Sequence, residues 1–288
     1  MRRVLVLTVA CLLARPALAG ADEGALVVVL DPGHGGRWPH DGAHGGRGLH
    51  EKVIALQVAL KTKEMLEAEG ATVVLTREKD EDISLADRAR IANEAGADIF
   101  LSIHCNSMET REDRKVTKGV ETYFLSPDPT DAEARMLAQL ENGGPDAVPL
   151  PKANSAVEGI LNDLALGQAR NDSAALAKIV QHHMLRSTWA QSRGVKQAPL
   201  LVLSGTKMPS ALVEIGFISN PQEGRKLKRE KYQERIARAL AEGVRDFADK
   251  VLARRLFAQA KPAAPAAGPK PPPAVSAASV VATPQGTR

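Results

Sequence analysis

Short runs of aliphatic, β-branched residues alternate along this chain with stretches whose apolar positions recur every three or four residues. Leu26–Asp31 (LVVVLD) reads as a buried strand. Thr72–Thr76, Asp98–His104 and Gly119–Leu125 read the same way, with Leu200–Leu203 and Ala211–Ile215 as shorter strands. Glu51–Glu69 predicts a helix, with Val53, Leu56, Leu60 and Leu66 near helical spacing and Gly70 as its stop. Ser84–Ala95 predicts another; Ser84 can cap it, with Asp87 three residues on, and Gly96 closes it. Further helices are expected at Asp131–Glu141, Val157–Ala169 and Ala174–Ala190, and a long final one at Gln222–Ala253. Strands alternating with helices predict an α/β domain on a mainly parallel, twisted sheet flanked by helices. Residues 126–172 stand out as a helical insertion.

The ends of the chain carry a different pattern. Arg2 and Arg3, the apolar run Val4–Leu13 and the small residues of Ala17-Leu18-Ala19 read as a secretory signal peptide over residues 1–19. That run is too short for a stable membrane span. No transmembrane segment is expected once the signal is cleaved, and the expected location is the periplasm or cell envelope. Residues 20–256 are expected to form the folded domain. Residues 257–288 are rich in Pro and Ala with little apolar bulk and predict a disordered tail.

Signal removal changes the charge picture. Losing Arg2, Arg3 and Arg15 lowers the 38 basic residues to 35, against 34 acidic ones. A near-neutral chain gives no electrostatic case for nucleic acid, and 3% aromatic content gives little base-stacking surface. The basic run Arg225–Arg229 has Glu230 and Glu234 nearby and reads as a solvated face. Only Cys105 remains after cleavage, so stability must come from the core or from a bound ligand or metal.

The chemistry collects at strand ends. His34 follows the first strand in DPGHGG, His104 ends the third in FLSIHCN, and Glu214 ends the last in LVEIGF. In open α/β sheets, sites gather beyond the carboxyl ends of strands. The loop Gly33–Gly48 is long enough to suggest function. Glu51 opens the helix that follows it. Each residue has a plain alternative: a satisfied half-buried His104, a Glu51 favoured by the helix dipole, a Glu214 paired with a basic residue. Together, His34, Glu51 and His104 suit a zinc ion that keeps a fourth position open, and Glu214 suits a general base. No HExxH sequence is present. Neighbouring side chains in a strand point to opposite faces, so Cys105 is expected in the core and outside the site. His40 and His44 are expected to be surface residues.

The segments LDPGHGG, GLHEK, TVVLTREKDEDISLADRARIANEAGADIFLSIHCNS, KGVETYFLS and SRGVKQAPLLVLSGTKMPSALVEIGFISNPQE occur in this order. In these, the chain resembles the zinc-dependent N-acetylmuramoyl-L-alanine amidases of the Amidase_3 type, the cell-separation amidases, over about Leu26–Ala253. The resemblance implies one zinc ion on His34, Glu51 and His104, with Glu214 as catalytic glutamate. It implies cleavage of the amide between N-acetylmuramic acid and the L-alanine of the peptidoglycan stem peptide.

Residues 126–172 resemble the regulatory insertion of the division amidases. There, a helical segment near the active site occludes the zinc until an activator, often a LytM-type protein, displaces it. The implied blocking group is an insertion carboxylate: Glu133, Glu141 or Glu158. Other readings are a helical decoration that only extends the groove, a non-catalytic peptidoglycan binder, or a zinc peptidase acting on stem peptides.

Overall fold

A computed structural model of the chain describes residues 25–46, 48–143 and 156–253, the side chains of 156–169 excepted. The expected signal peptide, the Pro/Ala tail and Glu158's side chain therefore lie outside the described residues. The elements run β1 (Val27–Pro32), β2 (His44–Gly45), β3 (Leu49–His50), α1 (Glu51–Glu67), β4 (Thr72–Leu75) and α2 (Leu85–Glu94). They continue with β5 (Ile99–Asn106), α3 (Arg111–Val116), β6 (Val120–Leu125), α4 (Ala132–Glu141) and α5 (Ala156–Thr188). The chain closes with β7 (Ser192–Ala198), β8 (Ser210–Phe217), α6 (Pro221–Leu227) and α7 (Glu230–Phe247).

Six strands form one sheet in the order β4-β1-β5-β8-β6-β7. Every pairing is parallel except β6 with β8. Alternation along each strand divides the core in two. Val28, Leu30, Ile99, Leu101, Ile103, Cys105, Val213 and Ile215 face a core shared with α1, α5 and α7. Val29, Phe100, Tyr123 and Leu212 face a second core closed by Ala134, Leu137 and Ala138 of α4. Helix α7 buries Ile236, Leu240, Val244 and Phe247 along one stripe, each worth about 1.5–3 kcal/mol of transfer free energy.

Several expectations need correction. The buried stripe of α1 is Ile54, Ala55, Val58, Ala59, Thr62 and Leu66, while Val53 and Leu60 are exposed. Apolar residues cover too much of that helix for spacing alone to choose the face. Residues 201–203 form a 3-10 turn, and the strand in this region is Ser192–Ala198, whose mostly polar and partly exposed residues suit the sheet edge. The two helices expected at 157–169 and 174–190 are one, α5. The final helix breaks at Lys228-Arg229 into α6 and α7, with a π-helical turn at Ala248–Leu252. Glu214 lies inside β8, and β5 runs two residues past His104.

Candidate metal centre

The first strand delivers His34 through a turn that few residues tolerate. His34 has φ +58°, in the left-handed region that non-glycine residues rarely occupy. Two buried arginines grip the backbone that enters this turn. Arg77 donates from Nε to the Pro32 carbonyl and from Nη2 to the Gly33 carbonyl, both at 2.9 Å. Arg88 donates to the Pro32 and His34 carbonyls, also at 2.9 Å. Arg88 is itself paired with buried Asp31 at 2.6 Å. Burial pushes the Asp31 carboxyl up, but Arg88 and hydrogen bonds from Ser102 and Thr76 outweigh it and hold the group below its usual range.

Glu51 begins α1 almost completely buried, with both oxygens fixed by backbone donors. The Ala43 N–H donates to Oε2 at 2.7 Å and the Cys105 N–H to Oε1 at 2.8 Å. His104 projects from β5 on the face opposite Cys105, which packs into the first core as expected. Two glycines leave room for these rings. A Cβ on Gly33 would lie 2.4 Å from the His104 ring, and one on Gly42 would lie 2.7 Å from the His34 ring and 2.8 Å from Glu51 Oε2.

The structure brings the three expected ligands together and adds a fourth donor, a second carboxylate. Glu141, the last residue of α4, places Oε2 3.1 Å from His34 Nε2 and 2.9 Å from His104 Nδ1. Glu51 lies 3.3 Å from His34 Nε2 and 3.1 Å from His104 Nδ1. One donor atom from each of His34, Glu51, His104 and Glu141 falls within 4.8 Å of the others. His34 Nε2 and Glu141 Oε2 are buried and converge without making a hydrogen bond. Orphaned nitrogen and oxygen donors aimed at one point are a donor set that fits zinc. Without a cation, the carboxylates act on the rings instead. Burial alone would lower His34, but Glu51 and Glu141 carry it up to about 10.

Of the other insertion acids, Glu133 faces away, bonded to Arg193 and Lys196. Glu214 is not in the four-donor group. It is wholly buried, in register with His104, and neither oxygen has a hydrogen-bond partner. Burial and then the Glu141 charge push its carboxyl well above the usual range. His44 is exposed, and Asp41, His44 and His50 bring one donor each within 4.8 Å on the β2-β3 ribbon. His40 lies among the exposed loop residues.

Arg77, Arg88 and the anchoring of α4 were not anticipated from sequence. The signal for the arginines was faint: a charged residue after an apolar strand in VVLTR and another in ADRARIA, with no partner visible nearby in the chain.

Comparison with known proteins places residues 28–246 in a match to the Amidase_3 family model, described as N-acetylmuramoyl-L-alanine amidase. The chain is 36% identical over 225 residues to N-acetylmuramoyl-L-alanine amidase AmiA of Escherichia coli K12, covering 77% of this chain and 75% of that protein. It is 34% identical over 231 residues to N-acetylmuramoyl-L-alanine amidase AmiC of Neisseria meningitidis serogroup B, covering 80% of this chain. The match spans about half of the Neisseria protein, 54% of its length. Among solved structures, N-acetylmuramoyl-L-alanine amidase AmiC2 of Nostoc punctiforme superposes with a TM-score of 0.59 at 29% identity. That superposition covers 78% of this chain and 98% of the Nostoc chain.

Proposed function

Since this chain belongs to the Amidase_3 family of N-acetylmuramoyl-L-alanine amidases, we propose that it hydrolyses the amide between N-acetylmuramic acid and the L-alanine of the peptidoglycan stem peptide, and that α4 holds it in a closed state. In this reading His34, Glu51 and His104 hold one zinc ion. When bound, zinc supplies a Lewis acid for the scissile carbonyl and acidifies water. Asp31, Arg77 and Arg88 position the His34 turn, and the Ala43 and Cys105 amides orient Glu51. Glu214 takes a proton from the attacking water and returns it to the leaving amine of L-alanine. Its bare, buried oxygens support that role, because a structural glutamate at such a place would need a partner.

The observation that carries the closed state is Glu141. Its carboxylate lies against both His34 and His104, where it would compete for the position that a catalytic zinc keeps open for water. Helix α4 is tied down at both ends: Glu133 and Asp131 bond to β7, and the Asn142 side chain bonds to Pro199 and Leu201. An activator that binds the open form better would shift the population toward it. A LytM-type protein acting in the cell envelope during daughter-cell separation fits this reading. Among the described residues, no helix is long and apolar enough to cross a membrane.

Product analysis tests the activity. Purified peptidoglycan treated with zinc-loaded, activated protein should yield glycan ending in free lactyl carboxyls and intact stem peptides with a new N-terminal L-alanine. A chelator should stop the release. Cleavage within the stem peptides would identify a peptidase instead. Zinc binding with no cleavage under any condition would identify a binding module.

A further inference from the structure

Two cations on β7 are surrounded by more carboxylates than the sheet supplies. Lys196 Nζ lies 3.1 Å from Glu121 Oε2, 3.2 Å from Asp131 Oδ2 and 2.9 Å from Glu133 Oε2. Arg193 lies 3.4 Å from Glu121 and 2.5 Å from Glu133, with its guanidinium over the Phe217 ring. Glu121 belongs to β6, whereas Asp131 is the N-cap of α4 and Glu133 lies in its first turn. With α4 displaced, Arg193 and Lys196 would keep one carboxylate between them, Glu121. Two cations sharing one carboxylate leave an excess positive charge that favours a replacement anion.

Two adjoining cavities make a groove from Arg193, beside Lys196, to the metal-capable residues. At one end Asn106, Ser107 and Met108 share a wall with His34 and Glu51; at the other the same three residues meet Arg193 and Phe217. Leu137 and Leu140 of α4 roof both ends. One helix therefore covers the whole path, with a carboxylate in each end. Glu133 and Glu141 are eight residues apart on it, about 12 Å at 1.5 Å per residue. An extended peptide covers that span in about three or four residues.

We propose that Arg193 and Lys196 form a subsite for a carboxylate of the stem peptide, about three residues from the scissile amide, and that α4 closes the groove as a mimic of the acidic substrate. Glu133 and Asp131 occupy the carboxylate subsite while Glu141 occupies the metal end. The planar fork of Arg193 beside the point charge of Lys196 suits a carboxylate well. The proposal rests on the amidase reading above and gives it a substrate feature: free carboxylates on the peptide rather than amides.

The test uses full-length, zinc-loaded protein and calorimetry with two probes, a stem tripeptide with free carboxylates and the same peptide fully amidated. In a D131N/E133Q variant, the free-carboxylate peptide should bind about tenfold more tightly than the amidated one. The wild type should bind it more weakly than this variant does, because its own carboxylates hold the subsite. That comparison leaves Arg193 and Lys196 intact, so it stands even where their replacement unfolds the chain. Adding Arg193→Gln should abolish the preference, and Arg193→Lys should restore part of it. Equal affinity for the two probes in D131N/E133Q would overturn the proposal. So would a preference that survives Arg193→Gln and Lys196→Gln together, since the carboxylate would then bind elsewhere. Peptidoglycan cleavage is read separately, with Glu141→Ala added to the same variant so that the closed state does not mask it. Carboxylate-selective binding without cleavage upholds the subsite and refutes the amidase reading. Cleavage without selectivity does the reverse.

Discussion

His104 and Glu214 are direct register partners across the parallel strands β5 and β8, so their side chains leave the same face of the sheet. On that face the carboxyl half of the sheet gathers Asp31, Ser102, His104 and Glu214, while Cys105 and Ile215 turn to the opposite core. One residue of slippage between β5 and β8 would send Glu214 into that core. The register is thus part of the chemistry.

Glu214→Gln should keep about one zinc per chain and lower the cleavage rate by about 10²–10⁴-fold, the usual contribution of a general acid-base group. The measurement is metal content beside peptidoglycan release, in a Glu141→Ala background so that the closed state does not mask the effect. Loss of zinc with the activity would make Glu214 a ligand instead.

Arg88→Ala should cost about 3–5 kcal/mol in unfolding free energy, because it leaves Asp31 buried and unpaired and releases the Pro32 and His34 carbonyls. Chemical denaturation of the chelated protein measures this without the metal. A loss below about 1 kcal/mol would show that the pair does not anchor the turn.

Acid should act through Asp31 in a definite direction. Its folded pKa lies below the ordinary value of 3.8. The stability it contributes is full above that value and disappears as the pH falls through the lower, folded one. Melting temperatures of the chelated wild type and Asp31→Asn should therefore differ most above pH 3.8 and converge at lower pH. A constant gap down through that range would contradict a depressed Asp31.

Gly42→Ala should weaken zinc binding more than it weakens the fold. Its φ of +75° disfavours any side chain, at about 1–2 kcal/mol, and the new Cβ would press on the His34 ring and Glu51 Oε2. Zinc titration should show about tenfold lower affinity. Unchanged affinity would mean that the pocket relaxes around the methyl group.

The residues that converge on the candidate centre were legible because each stands against its local pattern. His34 sits among glycines, His104 and Glu214 interrupt apolar strands, and Ser84 before Asp87 announces a helix start that the structure confirms. The choice of Glu141 over Glu133 was not legible. Both lie on α4, and only the packing of Ala134, Leu137 and Ala138 fixes which one turns to His34. Strand β7 escaped notice because SRGVKQA carries two polar pairs, Ser192-Arg193 and Lys196-Gln197, and has little apolar bulk, as an edge strand can. Arg77 and Arg88 escaped because their partners, Asp31 and the Pro32–His34 carbonyls, are more than forty residues away in the chain.

The most direct measurement compares basal peptidoglycan cleavage by zinc-loaded wild type and Glu141→Ala, with no activator present. If Glu141 blocks the open metal position, both proteins carry about one zinc, the wild type is nearly silent, and the variant cleaves at least about tenfold faster. Equal rates from two folded, equally loaded proteins would contradict the closed state at the centre of this account.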